Sequence, residues 1–252
     1  MREAKTAGAG LWEEATARNG QVDKTQAAAG RRLPARERCR DWELVGFVGA
    51  QGAVAIEHVM AAFGLGRTAA YRRVAGCVEA GLLERLEILR DRPSLLRATR
   101  AGLRYAGLSL KVASISPGSA GHWLRCASTA LALREEFKAE CILSERELRQ
   151  IERFKERPIF SARTGERRSG EPSFHRPDLA IISGELPIAI EVELTPKAPL
   201  RLEAIIRGWN RAHWVAEVRY YCAPGATRLG VERIVRRLHA EERVRVLAVV
   251  PR

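Results

Sequence analysis

The sequence has few of the features that are typical of zinc-binding, secreted or membrane-spanning proteins. Its five cysteines are scattered and odd in number, without a CxxC pair, and its five histidines are equally dispersed. This pattern argues against a zinc site and favours reduced thiols in the cytosol. No basic start is followed by an apolar core, and the most apolar region, residues 45–66, is interrupted by polar residues and glycines. We therefore expect a cytoplasmic protein without a secretory signal or a membrane span.

Lysine is also scarce, because the chain has 37 arginines and only 6 lysines. Together with abundant alanine, this ratio is typical of a GC-rich coding sequence. The formal net charge of +13 is therefore partly a consequence of coding bias. It still favours a polyanionic partner. The positions of the arginines carry more information than their number.

Composition divides the chain of 252 residues, 46% of them hydrophobic, into four parts. Residues 1–40 are rich in Ala, Gly, Arg and Glu without a sustained apolar period, so we expect a disordered basic arm. A linker rich in Ser, Gly and Pro at 109–121 separates a first globular domain, 41–108, from a second domain, 122–252. Within the second domain, residues 155–176 predict a basic loop or hairpin.

The first domain has the pattern of three helices followed by a hairpin. Asp41 is predicted to cap the first helix. The second helix covers residues 56–63, and the third runs from Arg67 to about Ala80 with apolar residues three and four apart. Two short apolar runs then flank the polar tip at residues 90–93, which predicts a two-stranded hairpin.

This order of elements resembles the winged helix-turn-helix family, and Arg-Thr-Ala-Ala-Tyr-Arg-Arg-Val at 67–74 is similar to its recognition helix. The resemblance implies that the third helix enters the major groove of duplex DNA while the hairpin, or wing, touches the backbone. An alternative role for such a fold is protein interaction. The implied DNA contacts are Arg67, Thr68, Arg72 and Arg73 on the helix and Arg90 and Arg92 on the wing.

Acidic residues are concentrated at the ends of two apolar runs in the second domain. Asp178 opens the first run, and Glu191 and Glu193 are the only acids in the second. Residues two apart in a strand point to the same side, so both glutamates share a face, and hairpin pairing brings Asp178 beside them. Three such carboxylates repel one another unless a cation lies between them, and oxygen ligands suit Mg²⁺ or Mn²⁺. The alternative is a solvated strand end whose acids pair with nearby arginines.

The pattern of helices and strands predicts an α/β domain with a mixed sheet. A helix is expected to start at Thr195 and Pro196, directly after the second acidic run. The other predicted elements, in chain order, are a helix at 122–137, strands at 141–143, 179–182, 186–194 and 218–222, a helix at 231–239 and a strand at 244–250.

The acids and their order resemble the PD-(D/E)xK nuclease superfamily, with Pro177-Asp178 as the "PD" and Glu191-Val192-Glu193 at the "(D/E)xK" position. The resemblance implies that Asp178 and Glu191 hold Mg²⁺ or Mn²⁺. Glu193 departs from the family lysine and is a candidate metal ligand or general base. Lys197 is a candidate replacement for the lysine.

An extra acid, which some superfamily members supply from an earlier element, is matched here by Glu145 in preference to Glu147. The alternative is that either glutamate pairs with a neighbouring arginine. Arg207 and Arg211 are one helical turn apart and are candidates for neutralising phosphates, or they pair with Glu203 or solvent.

A closer likeness is to the replication-relaxation family of bacterial plasmids and mobile elements. It rests on residues 176–182 and 190–202, Arg-Pro-Asp-Leu-Ala-Ile-Ile and Ile-Glu-Val-Glu-Leu-Thr-Pro-Lys-Ala-Pro-Leu-Arg-Leu, behind an N-terminal winged helix. The likeness implies a role in replication, relaxation or transfer, on double-stranded DNA, with relaxase or replication proteins as partners. Winged helices often act as dimers, so a homodimer is one arrangement to test.

Two functions are compatible with these residues. The first is a Mg²⁺-dependent endonuclease that a winged helix delivers to DNA, and the clustered carboxylates favour it. The second is a DNA-binding accessory protein that uses a catalytically silent nuclease fold as a scaffold, and the missing lysine favours it. A third reading is a transcriptional repressor that binds its own promoter.

Overall fold

The computed structural model describes residues 35–88 and 94–250, with the backbone alone for 35–40. It is a mixed α/β protein with two compact units, which divide between Leu131 and Ala132. Among the described residues, no helix combines the length and the apolar character needed to cross a membrane. Residues 1–34 of the predicted arm and the hairpin tip with Arg90 and Arg92 lie outside the described residues.

The N-terminal unit contains the three predicted helices and the predicted two-stranded antiparallel hairpin. Val54, in the connection between the first two helices, also forms an isolated bridge to Leu96. The elements are α1 (Ala35–Gln51), α2 (Ile56–Phe63), α3 (Arg67–Glu79), β1 (Leu83–Leu86), β2 (Leu95–Ala98), α4 (Arg100–Tyr105) and α5 (Pro117–Ala132).

A tight turn sets α3 against α2. Gly64 adopts φ +60° and donates its backbone N–H to Met60, so it ends α2 in the left-handed conformation that glycine accepts readily. Val59 from α2 and Val74 from α3 then join Leu44 in one buried core. Burying this apolar face leaves the polar face of α3 outside.

Asp41 does not cap the first helix, contrary to the prediction. Helix α1 begins at Ala35, six residues earlier, and includes the end of the predicted arm. Ala, Arg and Glu are good helix formers, which explains the extension. The Asp41 carboxylate instead lies 3.7 Å from the guanidinium of Arg73.

Helix α5 begins inside the predicted linker. Ser116 and Ser119 cap it reciprocally, since each backbone N–H donates to the hydroxyl of the other, at 2.9 and 3.2 Å. Pro117 occupies the first helical position, where its missing N–H is harmless. Ala120 and Leu124 are buried in a core cluster of the N-terminal unit. The helix that was predicted to open the second domain therefore lies in the N-terminal unit.

The C-terminal unit is built on a mixed five-stranded sheet, as predicted. The strand order is β3-β6-β7-β8-β9, with antiparallel pairs from β3 to β7 and parallel pairs from β7 to β9. The elements are β3 (Ile142–Ser144), α6 (Glu145–Phe154), β4 (Ala162–Glu166), β5 (Pro172–His175), β6 (Leu179–Ile181), β7 (Ile188–Glu193), α7 (Pro199–Asn210), β8 (Glu217–Cys222), α8 (Ala226–Arg237) and β9 (Val244–Ala248).

One face of this sheet is covered by α6, α7 and α8. Ala180, Ala189 and Val218 form a row of paired residues across β6, β7 and β8. Helix α6 packs on this row at Ala180, and α7 packs on it at Ala189 and Val218. Side chains two residues along each strand lie on the same covered face.

Two further elements differ from the predictions. Helix α6 was not predicted, although Ser144 and Glu147 form a capping box at its start. Helix α7 begins at Pro199 rather than at Thr195 and Pro196. A proline disfavours helical backbone in the residue before it and removes a donor, so Pro199 is accepted only at the start. For residues 155–176, predicted as a basic loop or a hairpin, the structure has the antiparallel hairpin β4–β5.

The close packing of the β4–β5 hairpin on α7 can be tested at Gly208. A Cβ at this position would lie 2.7 Å from the carbonyl oxygen of Arg163 on β4. We expect Gly208→Ala to lower the free energy of unfolding by about 1–3 kcal/mol, because overpacking forces the backbone to shift. Urea unfolding followed by circular dichroism measures the change.

Gly230→Ala is the matched control. Gly230 lies in α8, and a Cβ there meets nothing within 4 Å. This variant should gain about 0.5–1 kcal/mol, since alanine loses less backbone entropy in a helix. Equal stability of the two variants would contradict the close contact.

Candidate functional site

Three acidic residues lie at one end of the covered sheet face. Asp178 immediately precedes β6, while Glu191 and Glu193 lie in the last half of β7, which runs antiparallel to β6. Ala180 pairs with Ala189, and Asp178 and Glu191 each lie two residues beyond that pair. Alternation of side chains therefore puts all three carboxylates on one face.

Asp178 is fixed to β7 through both its backbone and its side chain. Its N–H donates to the carbonyl of Ile190 at 3.0 Å, and its carboxylate accepts the N–H of Val192 at 2.7 Å. Its own carbonyl accepts the N–H of Glu145 at 2.7 Å. Asp178 thus joins the ends of three neighbouring strands.

Glu191 is buried, with 2% of its surface exposed, and has two hydrogen-bond donors on the same oxygen. The indole N–H of Trp209, on α7, donates to Oε1 at 2.9 Å, and Nε2 of His175, at the end of β5, lies 2.8 Å from Oε1. Nε2 of His175 donates in this contact whenever it carries the ring proton. These contacts hold Glu191 in one orientation.

Charge interactions link His175 to the acids. Burial lowers the pKa of His175, but the charge and the hydrogen bond of Glu191, together with the charge of Asp178, outweigh it and leave the pKa raised.

Glu193 forms an ion pair with Lys197, which lies in the loop between β7 and α7. Burial raises the pKa of Glu193, and the charges of Glu191 and Asp178 raise it further, against the lowering effect of Lys197. The net direction is upward, which shows that the folded protein disfavours the charged form of Glu193.

The three carboxylates are neighbours, but their oxygens do not form one compact set of metal ligands. Asp178, Glu191 and Glu193 do not all have an oxygen within 4.8 Å of one another. Their charges act on one another, as the pKa of Glu193 shows.

Glu145 adjoins Asp178 through its backbone, but its side chain is turned toward arginines. Its carboxylate accepts from Arg149 at 2.5 Å and lies 3.9 Å from Arg176. This is the pairing that the alternative prediction described. Arg176 in turn binds Glu152, whose carboxylate is buried and also accepts from the backbone of Phe160. The arrangement fixes the segment that leads into Asp178.

Sequence reasoning missed three residues of this site. The only feature of the sequence that pointed to His175 is its position shortly before the "PD" pair. Trp209 is one of the apolar residues of α7 and is fully buried, and only its need for an acceptor indicated a polar role. Tyr220 lies in a strand of alternating burial and pairs with Glu191 in the β7–β8 register.

In the N-terminal unit, Arg67, Thr68 and Arg72 are exposed on α3, as the predicted DNA contacts require. Arg73 is different. It is half-buried, faces Asp41, and places its guanidinium 5.7 Å from the ring centroid of Phe63. Arg73 therefore serves packing within the unit, because it already has an internal acid and an aromatic ring as neighbours.

The two candidate arginines of α7 have protein partners. Arg207 donates to Glu203 at 2.6 Å. Glu203 also forms an ion pair with Arg237 of α8. Arg211 is exposed and donates to the carbonyl of Arg207 at 3.3 Å near the end of α7. For Arg207, the predicted alternative of pairing with Glu203 is the one observed.

No family model, curated protein or solved structure matches the chain.

The raised pKa of Glu193 predicts a pH-dependent stability difference. A carboxyl with a raised folded-state pKa stabilises the fold below the unfolded pKa, about 4.3, and loses that contribution as pH rises through the folded value. We therefore expect Glu193→Gln to melt at a higher temperature than the wild type at pH 8 in EDTA. The gain should shrink as pH falls toward about 4, where the wild-type group is also neutral.

Thermal unfolding at several pH values measures this difference. Glu185→Gln, an exposed acid in the turn between β6 and β7, is the control and should show no such trend. A Glu193→Gln variant that is less stable than the wild type at pH 8 would mean that the Lys197 pair outweighs burial and repulsion.

Proposed function

We propose that the chain is a DNA-binding protein with a metal-dependent nuclease-like domain of the PD-(D/E)xK type, which cleaves or nicks DNA. Its place would be in the replication, relaxation or transfer of a plasmid or mobile element. The observation that carries the proposal is that Asp178, Glu191 and Glu193 share one sheet face, with Lys197 paired to Glu193. A structural role alone does not require three like charges there.

The donor set suits Mg²⁺ or Mn²⁺, since it consists of carboxylate oxygens at a strand end. The resemblance to the PD-(D/E)xK superfamily assigns the cation to Asp178 and Glu191, while Glu193 is paired with Lys197. The buried hydroxyl of Tyr220 lacks a hydrogen-bond partner among the described residues and adds a polar group to this face. When bound, the cation would lower the pKa of a water molecule and offset charge that develops on the phosphate.

Two side chains have properties suited to the chemistry. Glu193 has a raised pKa and lies on the same face as the proposed metal ligands, so its carboxylate is suited to accepting a proton from the attacking water. Lys197 keeps a quarter of its side chain exposed, and its ammonium lies on the acidic face, where it can attract a phosphate. Lys197 would thus supply the charge that the superfamily places on the strand.

The N-terminal unit supports a role in binding duplex DNA. Arg67, Thr68 and Arg72 are exposed together on α3, and the hairpin follows it in the order of a winged helix-turn-helix. Side chains on such a helix would contact base edges and phosphates. Arg67 also lies 5.7 Å from the Tyr71 ring centroid, which limits the orientations that its guanidinium can take.

A second candidate function is that of a catalytically inactive accessory or regulator. The observation that favours it is the burial of the acids, since Glu191 and Glu193 are 2% and 5% exposed and the three carboxylates do not share one 4.8 Å site. In this function, the chain would still bind DNA through α3. A regulator would be distinguished by binding a site in its own promoter.

Plasmid cleavage tests the first function. We expect the purified chain to nick supercoiled plasmid with Mn²⁺ or Mg²⁺ and to lose this activity in EDTA. Asp178→Ala and Glu191→Ala should abolish nicking, because each removes a ligand of the cation. Gel electrophoresis of relaxed and linear products measures the reaction.

Glu185→Ala is the control for nicking, since it removes an exposed acid from the same strand pair. Its activity should equal that of the wild type. Intact plasmid with either ion in the wild-type reaction would exclude the nuclease and leave the accessory function.

Binding to duplex DNA tests the role of α3. We expect Arg72→Ala to weaken binding and to reduce the slope of log affinity against log salt by about 1, the loss of one phosphate contact. Arg104→Ala, which removes an exposed arginine from α4, is the control. Fluorescence anisotropy with a labelled duplex at several salt concentrations measures both. An unchanged slope for Arg72→Ala would argue against α3 as the DNA-contacting helix.

A further inference from the structure

The hydroxyl of Tyr220 is a buried polar group that the proposed chemistry has not yet used. Tyr220 is 1% exposed, and its oxygen has no hydrogen-bond partner among the residues that the structure describes. Buried hydroxyls are nearly always paired, because leaving one unpaired opposes folding. An oxygen outside the described side chains is therefore the expected partner.

The position of Tyr220 directs this hydroxyl to the acidic face. Tyr220 is the residue of β8 that pairs with Glu191 of β7, so the two side chains leave the sheet on the same side. The charges of Glu191, Glu193 and Asp178 all act on it. None of these carboxylates accepts a hydrogen bond from the hydroxyl.

A tyrosine hydroxyl carries a proton that it can donate, whereas an ionised carboxylate only accepts. Tyr220 is therefore a donor that faces a group of acceptors on the same side of the sheet. Such a donor is suited to a water molecule that the same acids orient.

We propose that the Tyr220 hydroxyl donates a hydrogen bond to a water molecule of the cation site that Asp178 and Glu191 would form. This inference rests on the proposed cation site and adds a residue to it. Tyr220 would fix the direction of the water relative to Glu193, the group that takes its proton.

The test compares Tyr220→Phe with the wild type in the full-length chain. Phenylalanine keeps the ring, which is part of the core with Val218 and Trp209, and removes only the oxygen. Tyr221→Phe is the matched control, because Tyr221 is the next residue, pairs with Val192 and points to the opposite face. Isothermal titration with Mn²⁺ and melting in EDTA are measured for all three proteins.

We expect Tyr220→Phe to bind Mn²⁺ about 10–100-fold more weakly, the usual effect of removing a group that orients a metal site. Its melting temperature in EDTA should equal or exceed that of the wild type, because the variant no longer buries an unpaired hydroxyl. Tyr221→Phe should bind Mn²⁺ as the wild type does.

The remaining outcomes separate this inference from the proposed function. Equal Mn²⁺ affinity of the wild type and Tyr220→Phe would overturn the role of Tyr220 and leave the cation site standing. A lower melting temperature of Tyr220→Phe in EDTA would also overturn it, since the hydroxyl would then have a partner within the protein. A wild type that does not bind Mn²⁺ would overturn the cation site and this inference together.

Discussion

The placement of three acidic side chains on one sheet face, two of them buried, is the constraint on which the C-terminal unit depends. Each acid has a different source of compensation. Asp178 accepts a backbone N–H of β7, Glu191 is bonded to Trp209 and His175, and Glu193 is paired with Lys197. These partners come from β7, α7, the β4–β5 hairpin and the loop after β7. The acidic face therefore dictates how four separate elements must meet.

Buried acids are not required for the stability of a sheet face. Replacing a buried ion pair by apolar side chains of similar volume is often neutral or stabilising. The pKa of Glu193 is raised, since burial and the charges of Glu191 and Asp178 outweigh the pairing with Lys197. A sheet that only supported the fold would be as stable, or more stable, with apolar residues at these positions. Strain of this kind is typical of sites that bind or transform a ligand.

The helices and strands were predicted from the sequence more reliably than the side-chain contacts between them. Alternation in residues 179–194 indicated the strands and the shared face of Glu191 and Glu193, because that face follows from the strand period alone. Helix α6 was missed, although its Ser144–Glu147 capping box was readable. The bond from Trp209 to Glu191 joins residues 18 apart, and that from His175 joins residues 16 apart. Such contacts depend on how α7 and the hairpin pack, which local patterns do not encode.

In the proposed site, Glu193 lies at the strand position where the PD-(D/E)xK pattern has a lysine. A lysine on the strand would supply a cation fixed by the sheet, whereas Lys197 supplies it from a loop that ends at Pro199. Proline fixes its own φ angle and restricts the backbone of the residue before it. The loop therefore has few backbone conformations that bring the Lys197 ammonium to Glu193. The strand position is then free to carry a carboxylate with a raised pKa. Under the proposed function, the positive charge and the proton acceptor would be two separate side chains, Lys197 and Glu193.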